Sequence, residues 1–110
     1  MTDGAQTREV NYVDDVARGL VAAATSSRAL GEVINIGGGP ELSVRALVER
    51  IFERCGAPRV LVQAGALPRR GGEIPRFVGE HDKARRLLGH APRVDLDAGL
   101  DRTIAARRAR

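Results

Sequence analysis

Large side chains are scarce in this chain. It has no tryptophan, and its only aromatic residues are Tyr12, Phe52 and Phe77, so a core must be filled by alanine, valine and leucine. Aromatic rings bury the most surface per residue, and their shortage predicts a fold of modest stability. The single cysteine, Cys55, excludes an internal disulfide and fits a reducing compartment. Its position behind Ile51 and Phe52 assigns it to packing rather than to thiol chemistry. No apolar run approaches membrane-spanning length and the N-terminus has no secretory pattern, so the reading is a soluble, cytoplasmic protein with no membrane partner. Lysine is nearly missing too. Lys83 stands alone beside seventeen arginines. The two histidines, His81 and His90, have no neighbouring ligands at metal-binding spacing, so no metal site is expected and neither is assigned catalysis.

With 110 residues the chain makes one domain, burying about two-thirds of its unfolded surface. Its 18 basic and 14 acidic residues leave a net charge of +4. The arginines are interleaved with acids except in the tail Arg107-Arg108-Ala109-Arg110. That pattern supports nucleic-acid binding only weakly, and base-stacking aromatics are too few to help.

Periodicity divides the chain. Val10 and Tyr12 alternate, and Val16, Leu20 and Val21 then follow helical spacing, so a strand turns into a helix near Val13-Asp14, with Asp14 as the expected N-cap. Val33-Ile34-Asn35-Ile36 is short and apolar, which predicts a strand buried on both faces of a parallel sheet. Gly37-Gly38-Gly39-Pro40 ends it. Ser43 is placed to cap a helix with Val44, Leu47, Val48, Ile51 and Phe52 on one face, and Gly56 closes it. Val60-Leu61-Val62 reads as a third strand and Phe77-Val78 as a brief one. A short helix runs from Asp82 to Leu88 and stops at Gly89. Asp95 caps a last helix with Leu96, Leu100 and Ile104 inward. The order predicts an α/β fold with a small sheet and about four helices. Residues 1–7 read as a loose segment, 8–105 as the folded region and 106–110 as a basic tail.

Two glycine-containing stretches invite a phosphate. The first, Gly37 to Gly39, follows an expected strand and precedes a helix, as a dinucleotide fingerprint does. Leu42 stands where that fingerprint needs a third glycine for close helix–strand packing, so the stretch reads as a plain turn. The second, Arg69-Arg70-Gly71-Gly72-Glu73, puts two guanidinium forks on backbone that can approach a ligand closely. Arg8, expected at the opening of the first strand, offers a third fork. Together Arg8, Arg70 and Glu73 suit a diphosphate flanked by hydroxyls.

Four blocks carry a family likeness: TREVNYVDDVARGL, EVINIGGGPELSVRALVERI, LPRRGGEIPRFVGEHDKARRLLGHAP and LDAGLDRTI. In that order they resemble the C-terminal portion of extended short-chain dehydrogenases, the NAD-dependent sugar-nucleotide epimerases and dehydratases. The resemblance covers nearly the whole chain. It implies that Arg8 and Arg70 contact the diphosphate of a nucleoside-diphosphate sugar and that Glu73 binds ribose or sugar hydroxyls. It also implies that Val33 to Ile36 completes the cofactor domain's sheet.

The departures from the family are equally specific. Its hydride chemistry needs a glycine-rich NAD loop and a tyrosine followed four residues later by a lysine. Here the residue four beyond Tyr12 is Val16, and Lys83 is remote. The implied protein is a substrate-binding portion without the NAD-binding half, with no catalytic residue and no NAD bound by this chain alone. The alternative is an inactive truncation, or one half of a split enzyme that needs a separate NAD-binding half or self-associates. A small basic nucleic-acid-binding protein ranks last.

Overall fold

The computed structural model describes residues 1–110. Its sheet has three short strands, β1 (Thr7–Glu9), β2 (Glu41–Ser43) and β3 (Arg76–Phe77), in the order β2-β1-β3. β1 runs antiparallel to β2 and parallel to β3, so the sheet is mixed rather than parallel. Four helices surround it: α1 (Val13–Thr25), α2 (Val44–Cys55), α3 (Asp82–Leu88) and α4 (Leu96–Arg108). The expected α/β class, small sheet and helix number are all present.

Helix punctuation follows local chemistry. Ser43 Oγ accepts from the Ala46 amide at 3.0 Å and starts α2, and Gly56 ends it in the left-handed region at φ 71°. Asp95 caps α4 through the Ala98 amide, and Gly89 closes α3 at φ 62°.

Four local expectations fail. The first strand covers Thr7 to Glu9 rather than Val10 to Tyr12, because its hydrogen-bonding partners lie at Glu41–Ser43 and Arg76–Phe77. Asp14 does not cap α1. The cap position is Tyr12, which makes no side-chain cap bond, and Asp14 falls inside the first turn. Val33 to Ile36 forms no strand, and Val33 is 85% exposed, since no neighbouring strand is there to pair with it. Val60 to Val62 is not a strand either; Arg59–Leu61 forms a 3₁₀ turn after Pro58. Residues 1–7 are bonded to the fold: Leu67 N donates to Met1 O, Gly65 N to Thr2 O and Arg45 N to Gly4 O. The basic tail continues α4 as far as Arg108.

Little of the chain is buried. Its radius of gyration is 16.5 Å, against about 13 Å for a compact domain of this length. The sole fully buried apolar side chain is Ala84, whereas Leu20, Val21 and Leu30 face outward. Polar bonds therefore position the elements. The buried Asp15 carboxylate accepts from the amides of Arg93 and Val94, both at 3.0 Å, and from Arg18. Burial pushes its pKa up, but the two amides and Arg18 outweigh that and hold it below the usual range. This knot ties α1 to the segment before α4. On the far side α4 docks on α2 through two bidentate pairs, Arg50–Asp97 and Arg54–Asp101. His90 is buried against Gly19, where a Cβ would come within 3.1 Å of its ring. Burial, with the charge of Arg18 adding to it, holds the His90 pKa below its ordinary value.

Candidate functional site

Arg8 lies in the middle of β1, not at its opening. It lines a cavity of about 450 Å³ with Asn11, Asn35, Phe77 and His81. Its Nη1 donates to Thr7 O at 2.7 Å and to Ile74 O at 2.9 Å. A guanidinium has five N–H donors, two of them on Nη1. The two carbonyls occupy that nitrogen and fix the plane of the group, which leaves the Nη2 and Nε donors for an external anion. That free edge has the geometry to grip a phosphate bidentately. Phe77, the partner of Arg8 across β1 and β3, is 64% exposed and gives the cavity an apolar wall.

The cavity is also lined by a half-buried carboxylate. Glu9 Oε1 accepts from Asn11 Nδ2 at 2.7 Å and from Gly38 N at 2.9 Å. Glu9 Oε2 accepts from Gly79 N at 3.2 Å and pairs with His81 Nε2 at 2.5 Å. Burial raises the pKa of Glu9, but the four donors outweigh it and hold the group at about 2. Three separate chain segments, 9–11, the stretch at Gly38 and 79–81, thus meet on one side chain. The sequence assigns His81 no catalysis and does not single out Glu9. No local signal could pair residues 72 positions apart.

The glycine run is a turn, as expected. The Gly38 amide serves Glu9 and the Gly39 amide serves Asn11 Oδ1, so these donors are already committed within the chain. A Cβ at Gly37 would lie 2.0 Å from Glu9 Oε1. The space beside these glycines is filled by protein, and the run does not fit the pyrophosphate of NAD. No step through that cofactor follows from the residues present.

The second pair of expected ligands sits on the loop that follows Pro68. Glu73 Oε1 accepts from Gln6 Nε2 at 2.8 Å, and Gln6 is two residues before Arg8 along the same stretch. Ile74, next to Glu73, supplies the carbonyl that holds Arg8. The structure therefore brings Glu73 close to the backbone of the Arg8 segment. Arg70 is exposed and does not line the Arg8 cavity. Its neighbour Arg69 is paired with Asp3.

No model of a known protein family matches the chain. The chain is 42% identical over 103 residues to a dTDP-glucose 4,6-dehydratase of Streptomyces griseus, covering 94% of this chain and 30% of the relative. Among solved structures, a dTDP-glucose 4,6-dehydratase from Streptomyces venezuelae with NAD bound superposes with a TM-score of 0.87 at 36% identity, covering 97% of this chain and 32% of the other. A UDP-glucuronic acid 4-epimerase from Bacillus cereus, in complex with UDP-glucuronic acid and NAD, matches with a TM-score of 0.80 at 34% identity, covering 92% of this chain and 32% of the other. The chain spans about a third of the length of these proteins.

Proposed function

The chain belongs to the extended short-chain dehydrogenase family of sugar-nucleotide epimerases and dehydratases, as a C-terminal portion of that fold, and on that premise we propose that it binds the diphosphate of a nucleoside-diphosphate sugar without turning it over alone. The observation that carries this reading is Arg8, whose guanidinium is fixed by two carbonyls with its remaining donors free beside a cavity of about 450 Å³. Asn11 and Asn35 supply further polar groups there. Arg70 approaches the ligand from the exposed loop, and the second carboxylate oxygen of Glu73 accepts from hydroxyls. Neither acid–base pair nor NAD loop is present to move a hydride, so binding is the activity assigned.

Calorimetric titration of the 110-residue chain with dTDP-glucose and UDP-glucose tests this. Loss of a charge-assisted contact costs about 1.5–3 kcal/mol, so Arg8→Ala should weaken binding roughly tenfold or more. Arg70→Ala should weaken it in the same direction. Identical isotherms for wild type and Arg8→Ala would reject the site.

The outward-facing apolar side chains support a second reading, in which the chain works as one half of a split enzyme or self-associates. Leu30 and Val33 are each at least 80% exposed, and exposed apolar surface of this kind favours association. Sedimentation of the chain at rising concentration should then show species heavier than 11.8 kDa. A monomer at every concentration, melting cooperatively at high temperature, contradicts it.

A further inference from the structure

A second cavity, beside Tyr12, gathers three guanidinium groups with no acidic side chain among them. It measures about 290 Å³ and is lined by Tyr12, Val13, Arg102, Thr103, Arg107 and Arg110, with Ala106 between them. No acidic residue lines it. Several arginines of the chain answer to carboxylates, Arg18 to Asp15, Arg50 to Asp97, Arg54 to Asp101 and Arg76 to Glu41. None of the three arginines at this cavity forms such a pair. The dipole of α4 favours cations in its last turn, which accounts for Arg107. It does not account for Arg102, more than a turn earlier, or for placing three like charges around one opening, where they repel.

The guanidinium of Arg102 lies over the Tyr12 ring, 5.6 Å from its centroid. Stacking of this kind orients the planar fork while leaving its in-plane N–H donors available. Thr103 contributes no donor, because its hydroxyl is bonded to Gly99 O at 2.8 Å. Apart from the Tyr12 hydroxyl, the recognition chemistry is therefore guanidinium. Such forks match the oxygens of a phosphate group better than a single carboxylate, which one fork would satisfy.

We propose that Arg102, Arg107 and Arg110 form a binding site for a small, multiply charged phosphate anion, separate from the Arg8 cavity. Tyr12 is the only tyrosine in a chain without tryptophan and lines this cavity, so its ring signals respond to an anion bound there. Inorganic pyrophosphate titrated into the full chain at low ionic strength should shift the Tyr12 ring resonances saturably. The double variant Arg102→Ala/Arg107→Ala should weaken that response at least about tenfold. Arg102→Lys/Arg107→Lys keeps the charge but removes the fork, and should also weaken it. Arg8→Ala should leave it unchanged. Because both double variants alter exposed side chains, matching circular dichroism spectra will show that they remain folded. The proposal is overturned if pyrophosphate gives no saturable Tyr12 shift, if the double alanine variant responds as wild type, or if Arg8→Ala abolishes the response. The last result would place the anion at the Arg8 cavity and leave the sugar-nucleotide reading standing by itself.

Discussion

Replacing Glu9 with alanine should lower the free energy of unfolding by about 1–3 kcal/mol, the cost of taking a charged acceptor from a part-buried network. The side chain of Glu9 is only 9% exposed, and its loss leaves Asn11 Nδ2, the Gly38 and Gly79 amides and His81 Nε2 without their acceptor. The two glycine amides face solvent and can bond to water instead, so the cost falls mainly on the part-buried Asn11 and His81. A domain of this size has a total stability of about 5–15 kcal/mol, and the chain has little apolar core to compensate. Urea unfolding of wild type and Glu9→Ala measures the difference. A loss of less than about 0.5 kcal/mol would show that the three segments are held together by something else.

The same carboxylate contributes to the acid limb of stability, together with the buried Asp15. Above pH 4.5 Glu9 is ionised both folded and unfolded, and its contribution is complete. Between pH 4.5 and about 2 the unfolded chain takes up a proton that the folded one refuses, so stability falls with pH. His90 adds an earlier decline. Its folded pKa is depressed, so the unfolded chain protonates first as pH drops below 6.5, and the folded state loses ground. Glu9→Ala should make the lower step shallower, with Asp15 keeping part of it, and leave the upper one in place.

Gly39→Ala should be the most disruptive single methyl in the molecule. A Cβ there would sit 1.9 Å from the carbonyl oxygen of Val10 and 2.8 Å from Asn11 Oδ1, the acceptor of the Gly39 amide itself. The obstacle is backbone, which cannot swing aside like the end of a flexible side chain. Accommodating it means moving the Gly37–Gly39 turn off β1. We expect a loss of about 3 kcal/mol or more, at the upper end of overpacking effects. Gly71→Ala is the control, because nothing lies within 4 Å of a Cβ at that position. Amide spectra of the two variants decide the matter: Gly71→Ala should keep the native dispersion and Gly39→Ala should lose it. Native spectra for both would mean that the turn is free to move.

Much of the chain was legible in the residues themselves. Ser43, Gly56, Gly89 and Asp95 bound their helices as read, because a cap bonds within three or four residues of its own position. The family likeness was legible for a similar reason, being carried by four contiguous blocks. Leu42 correctly marked the glycine run as a turn. Strands were read less well. An apolar run such as Val33 to Ile36 states only that a strand could form, and pairing depends on a neighbour far away in the chain. Arg8 was legible as a ligand candidate, yet only the tertiary structure shows that Thr7 O and Ile74 O fix one of its nitrogens and leave the others free. Folding alone joined Glu9 to His81 and left Arg70 outside the Arg8 cavity. Local bonding is written in neighbouring residues; convergence of distant side chains is decided by how the elements pack, and in this chain by polar bonds where an apolar core is nearly missing.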